Sequence, residues 1–154
     1  MADSPSRWVR ALRPVSMVTM AGLTVQYVAG LLANAYAPSN GFTENTDYWQ
    51  LNLHWDFGYV LGALALILLI VAALTRKRTF IGLSTVTFAG VLSAAIFGML
   101  YVRSTPNDPL FTVAMGFSFL VAFTSNFILT RFALPPSPAA TSPIPTSPTP
   151  SAPS

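Results

Sequence analysis

LNLHWDFGYVLGALALILLIVAALTRKR, residues 51–78, is the stretch whose reading decides the fold. Phe57 to Leu74 is eighteen residues without a charge, flanked by His54-Trp55-Asp56 and by Arg76-Lys77-Arg78. Eighteen helical residues rise about 27 Å, close to the thickness of a bilayer's hydrocarbon core. The stretch therefore reads as a transmembrane helix with an aromatic, acidic end and a basic end. It also carries the only histidine of the chain, so redox or metal chemistry would have to begin at His54.

The rest of the composition agrees. The 154 residues are 53% hydrophobic and only 8% charged, far from a soluble composition. The net charge of +3 comes from short basic groups beside apolar runs. Those groups are topology signals and not a phosphate-tracking face, so nucleic acid is not an expected partner and membrane lipid is. Without cysteine there is no disulfide, thiolate nucleophile or iron–sulfur cluster.

Working outward, three further charge-free runs appear: Val15–Ala37, Phe80–Val102 and Leu110–Thr130. The expected architecture is an all-α integral membrane bundle with spans at 15–37, 57–75, 80–102 and 110–130. A segment of residues 1–14 precedes it and a tail of residues 132–154 follows. The first run also imitates a secretory signal peptide, with Ala33-Asn34-Ala35 or Ala35-Tyr36-Ala37 as a cleavage site. Its length favours a retained helix. Seven of the eight basic residues fall on one side of the four spans. The positive-inside rule then puts both termini in the cytoplasm, with the protein in the plasma (inner) membrane. From Pro135 onward the chain is proline, serine, threonine and alanine in the main, a composition expected to be extended and disordered.

A shift of sixty-eight residues lays the first run on the third, placing TMAG (19–22) on TFAG (87–90) and Gly30 on Gly98. With a shorter loop, Gly58 falls on Gly116. The pattern suggests two hairpins in pseudo-two-fold repeat about the membrane normal. Small or polar residues also recur at four-residue spacing: Gly22, Gln26, Gly30 and Asn34; Gly58 and Gly62; Gly82, Gly90, Ala94 and Gly98; Ala114, Ser118, Ala122 and Asn126. Such stripes let helix backbones approach closely. Gln26, Asn34 and Asn126 are expected inside the bundle, and Gly90, Ala94 and Gly98 are expected to face Gly22, Gln26 and Gly30 of the first span.

His54 has two readings. One is an interfacial histidine helping Trp49, Trp55 and Tyr59 to anchor a helix end. The other is an axial haem ligand, which needs a second ligand from Met99, Met115 or another copy's His54. A copper or zinc site would have only His54 and the carboxylates Glu44, Asp47 and Asp56, a poor set for either metal, so no metal is expected. No span carries a carboxylate or lysine for ion transport, and no base–nucleophile pair is in sight.

The pattern AGLTVQYVAGLLANAYAP…NLHWDFGYVLGALALILL, a polar loop followed by a histidine at the start of the next span and then by a second hairpin, resembles one four-helix half of heme A synthase. The resemblance implies haem held by histidines of paired helices. Here the counterpart of His54 in the second hairpin falls near Thr112, and the family's loop glutamate has only Glu44 in its place. A scaffold kept without its haem pair fits this departure. The expected function is thus a non-catalytic subunit packed against other membrane protein subunits, in a respiratory or other redox complex, without a cofactor. The alternative is a haem-binding electron-transfer or heme A synthase-like protein using His54.

Overall fold

The computed structural model describes residues 7–36, 49–104 and 108–133. These residues form four helices, α1 (Arg7–Ala35), α2 (Trp49–Thr75), α3 (Arg78–Arg103) and α4 (Pro109–Phe132). All four are long and apolar enough to cross a membrane, and no strand occurs among the described residues. A helix satisfies its backbone hydrogen bonds within one segment, which is what an apolar solvent demands. The proline-rich tail and the loop carboxylates Glu44 and Asp47 lie outside the described residues.

The helices outrun the charge-free runs. α2 begins at Trp49, so His54 and Asp56 are helical, and α1 begins at Arg7 and takes Pro14 into its second turn. Proline removes one N–H from the ladder, and it does so at the exposed, arginine-bearing end of α1. Between α2 and α3 the chain turns through Arg76 and Lys77 alone. Arg76 there is left-handed (φ 58°), a conformation that glycine or asparagine adopts with less strain. α4 is started by Asp108, whose carboxylate accepts the Leu110 N–H at 2.9 Å, with Pro109 in the first turn.

Each helix packs on two others, giving a four-cornered bundle in chain order with α1 diagonal to α3 and α2 to α4. The α3–α4 and α1–α2 contacts are the most extensive. This corrects the expectation that the Gly90 stripe meets the Gly22 stripe. A Cβ at Gly90 would meet Ser118 and Ala122 of α4, and one at Gly22 would meet Leu61 and Leu64 of α2. The physical reason is that each glycine stripe is consumed by the helix antiparallel to it within its own hairpin. Asn34 is likewise corrected: it is exposed in the last turn of α1, where interfacial water can satisfy its amide.

At the basic end, Leu12, Leu68, Ala72, Phe80, Leu129 and Ala133 form one apolar cluster. Leu23, Leu61, Ala65, Val91 and Ala122 form another near mid-span. Between them, α1, α3 and α4 contribute Ser16, Thr19, Ser84, Thr87, Ser125 and Asn126, all buried, while α2 supplies only Ala65 and Leu68. Asn126 Nδ2 donates to the Ser16 carbonyl at 3.1 Å, and Ser16 Oγ donates to Asn126 Oδ1 at 3.0 Å. Thr87 and Ser125 share a hydrogen bond of 3.0 Å across α3–α4. Remaining hydroxyl capacity folds back on the helix's own carbonyls, as from Thr19 to Val15 and Ser84 to Phe80. Hydroxyl side chains are small enough for close helix approach, and this pairing keeps the layer free of orphaned donors.

Candidate functional site at the histidine end

His54 lies in the second turn of α2, at the end opposite the basic residues. Its ring rests against α1: a Cβ at Gly30 would lie 3.2 Å from His54 Cε1, so a methyl group there would press the imidazole aside by a few tenths of an ångström. One turn away, Gln26 reaches across. Gln26 Nε2 donates to the His54 backbone carbonyl at 3.0 Å and lies 3.1 Å from Nδ1 and 3.4 Å from Nε2 of the ring.

The carbonyl can only accept, which identifies the amide's nitrogen end. With Gln26 donating to the nearer ring nitrogen, Nδ1 is the acceptor and the imidazole proton sits on Nε2. Gly58 of α2 lies beside Gln26, a Cβ there being in ordinary contact at 3.5 Å from Gln26 Nε2. Two acceptors are left over. The side-chain oxygens of Gln26 and of Gln50, one turn before His54, are buried and have no hydrogen-bond partner. Each has capacity for a donor such as a buried water or a hydroxyl.

Around this pair the helix end is aromatic and open. Trp49 and Tyr59 are about two-thirds exposed (65% and 70%), as suits rings at a headgroup boundary. Asp56 is exposed on the other side of α2 from His54, two residues being more than half a turn. The described residues hold no group of three histidine, aspartate or glutamate side chains able to bind a metal ion.

The other residues singled out from the sequence are distributed over the bundle. Met115 sits in the α3–α4 interface, its sulfur 3.3 Å from where a Cβ of Gly98 would be, and Met99 is 46% exposed on α3. The contacts of His54 are with α1 and those of Met115 with α3. Gly90 makes the tightest glycine contact, Ala94 is half-buried beside it, and Ser118 contributes its backbone oxygen to that contact. Asn126 belongs to the hydroxyl layer nearer the basic end. Gly62 has nothing within 4 Å of an added Cβ.

The hydroxyl layer itself was not anticipated. Its signal was present as Ser16/Thr19, Ser84/Thr87 and Ser125/Asn126, pairs three residues apart or adjacent inside apolar runs. Chemically, the histidine end offers a hydrogen-bonded imidazole–carboxamide pair with spare acceptor capacity. Among the described residues it offers neither a nucleophile with its base nor a paired charge. No protein family, curated protein or solved structure matches the chain.

Proposed function

We propose that the protein is a non-catalytic integral membrane subunit that packs against other membrane proteins, in a respiratory or other redox assembly, with both termini in the cytoplasm. The observation supporting this reading is the outward face of α3, where Gly82, Thr85 and Ala89 lie three and four residues apart and exposed. Nothing lies within 4 Å of a Cβ added at Gly82, nor at Gly116 of α4. Within the bundle, glycines are spent on close approach, as at Gly90. Small residues left facing the bilayer provide the same opportunity to a helix of another protein.

The Gly22–Leu64 contact of the first hairpin and the Gly90–Ala122 contact of the second, which the shifts described above align, support the reading of two hairpins in pseudo-two-fold repeat. Affinity purification in mild detergent tests the proposal. A membrane partner that is lost in Gly82→Leu, with the variant's own fold intact, supports it, and recovery of the chain alone counts against it.

Haem on His54 is the alternative, and the unsatisfied oxygen of Gln26 is the feature that favours a ligand there. It would require the Gln26 amide to give way, since that amide now faces the ring nitrogens. A Soret band in the purified protein that disappears in His54→Ala would establish it.

A further inference from the structure

Seven cations are gathered at one end of the bundle: Arg7, Arg10 and Arg13 on α1, Arg76–Arg78 at the α2–α3 turn, and Arg131 on α4. The cluster of Leu12, Ala72, Phe80 and Leu129 holds these segments together, and all seven side chains are exposed. Among the described residues the only carboxylates are Asp56 and Asp108, which belong to the opposite end. Among the described residues the basic end is therefore a collar of positive charge encircling the bundle with no carboxylate beside it. We propose that this collar binds the phosphates of anionic phospholipids, with the Arg76-Lys77-Arg78 turn as its principal site.

Two observations favour lipid over a soluble polyanion. Three of the cations lie over aromatic rings of the helices: Arg7 over Trp8 at 4.9 Å, Lys77 over Phe80 at 5.4 Å and Arg131 over Phe127 at 5.2 Å. Trp8 is a ring of the kind that settles at the boundary of hydrocarbon and headgroups, which brings Arg7, stacked on it, to phosphate depth. The second is Arg76 itself. It occupies a left-handed position at φ 58° that favours glycine, so the fold alone would be better served by a residue without a side chain. An arginine there makes sense when its charge is in use, and a turn of three successive cations suits a singly or doubly charged phosphate group.

The test uses the purified full-length protein in detergent, with thermal unfolding followed as phosphatidylglycerol or phosphatidylcholine is added. Phosphatidylglycerol should raise Tm and phosphatidylcholine should not, and high salt should abolish the rise. Each cation near an anionic surface is worth about a fivefold change in affinity. Arg76→Gly should thus need about five times more phosphatidylglycerol for the same rise, and Arg76→Gly/Lys77→Gln/Arg78→Gln about a hundred times more.

Without added lipid, Arg76→Gly should melt no lower than wild type, because glycine relieves the backbone. That separates loss of binding from loss of fold. Equal stabilisation by phosphatidylcholine, or an unchanged response in the triple variant, overturns the proposal. So does inositol hexakisphosphate matching phosphatidylglycerol, which would assign the collar to a soluble polyanion.

Discussion

Replacing Gly90 by alanine adds one methyl group at the tightest point of the bundle. That carbon would lie 2.8 Å from the Ser118 carbonyl oxygen, 2.9 Å from Ala122 Cβ and 3.0 Å from Ala122 N. Two of these atoms are α4 backbone and the third is bonded to it, so no rotamer change relieves the clash. Carbon contacts are most favourable at about 3.5–4.0 Å, so α3 and α4 must part by roughly 0.5–1 Å, which forfeits a quarter to a half of the dispersion energy of the contacts it opens. Overpacking of this sort costs about 1–3 kcal/mol.

Gly82→Ala is the matched control. The same methyl group meets nothing within 4 Å, and alanine in a helix gains about 0.5–1 kcal/mol over glycine. Both variants share that gain, so they should differ by the overpacking alone, about 1–3 kcal/mol, with Gly90→Ala the weaker. Far-UV circular dichroism during titration of sodium dodecyl sulfate into maltoside micelles reads the difference. If both variants unfold at the same detergent fraction as each other, the close α3–α4 approach is not what holds the hairpin together.

Gly98→Ala should lose less than half as much as Gly90→Ala, because the atom it meets is the Met115 sulfur at 3.3 Å, the far part of a flexible side chain. The same titration ranks the two. Ser16→Ala and Asn126→Ala, which both remove the hydrogen bond from Ser16 Oγ to Asn126 Oδ1, should show a coupling of about 0.6 kcal/mol, and at most about 1.7, in a double-mutant cycle, as interhelical polar pairs in membranes do. Additive effects would mean that the pair contributes shape alone. Gln26→Leu should cost about 1–3 kcal/mol by stranding the buried ring nitrogen of His54, and most of that loss should return in Gln26→Leu/His54→Phe, where both polar partners are gone. A double variant less stable than either single one would contradict the pairing.

The four helices were legible because charge-free runs of this length have one economical structure in a bilayer, and α2, α3 and α4 extend only a few residues past their runs at most ends. The exception is instructive. Trp49 to Asp56 reads as loop by polarity, yet it is helical because an interface provides water on one side of a helix while the other side packs. On α1 the stripe of Gly22, Gln26 and Gly30 lies on a side that meets α2, whereas Gly62 and Gly82 of the other stripes have nothing within 4 Å of an added Cβ.

Which helix each face would meet was not legible. A small-residue stripe says that something approaches closely, and Gly90 would have served α1 as well as α4. The choice depends on hairpin geometry, which has no local signature. At the candidate site, His54 and Gln26 were each marked by being polar in apolar company, but their pairing spans 28 residues of sequence and becomes visible only when α1 lies on α2. The orphaned oxygens of Gln26 and Gln50 are likewise a property of packing.

Gly90 and the hydroxyl layer fill the bundle's own interior, while the outward small-residue face of α3 is the surface proposed to meet another membrane protein. The most direct measurement is mass determination of the chain extracted in mild detergent, for wild type and for Gly82→Leu. The account predicts that wild type runs in an assembly with at least one other membrane protein and that Gly82→Leu runs alone while unfolding at a detergent fraction no lower than wild type's. A wild-type chain that runs alone and carries a Soret band dependent on His54 would contradict it.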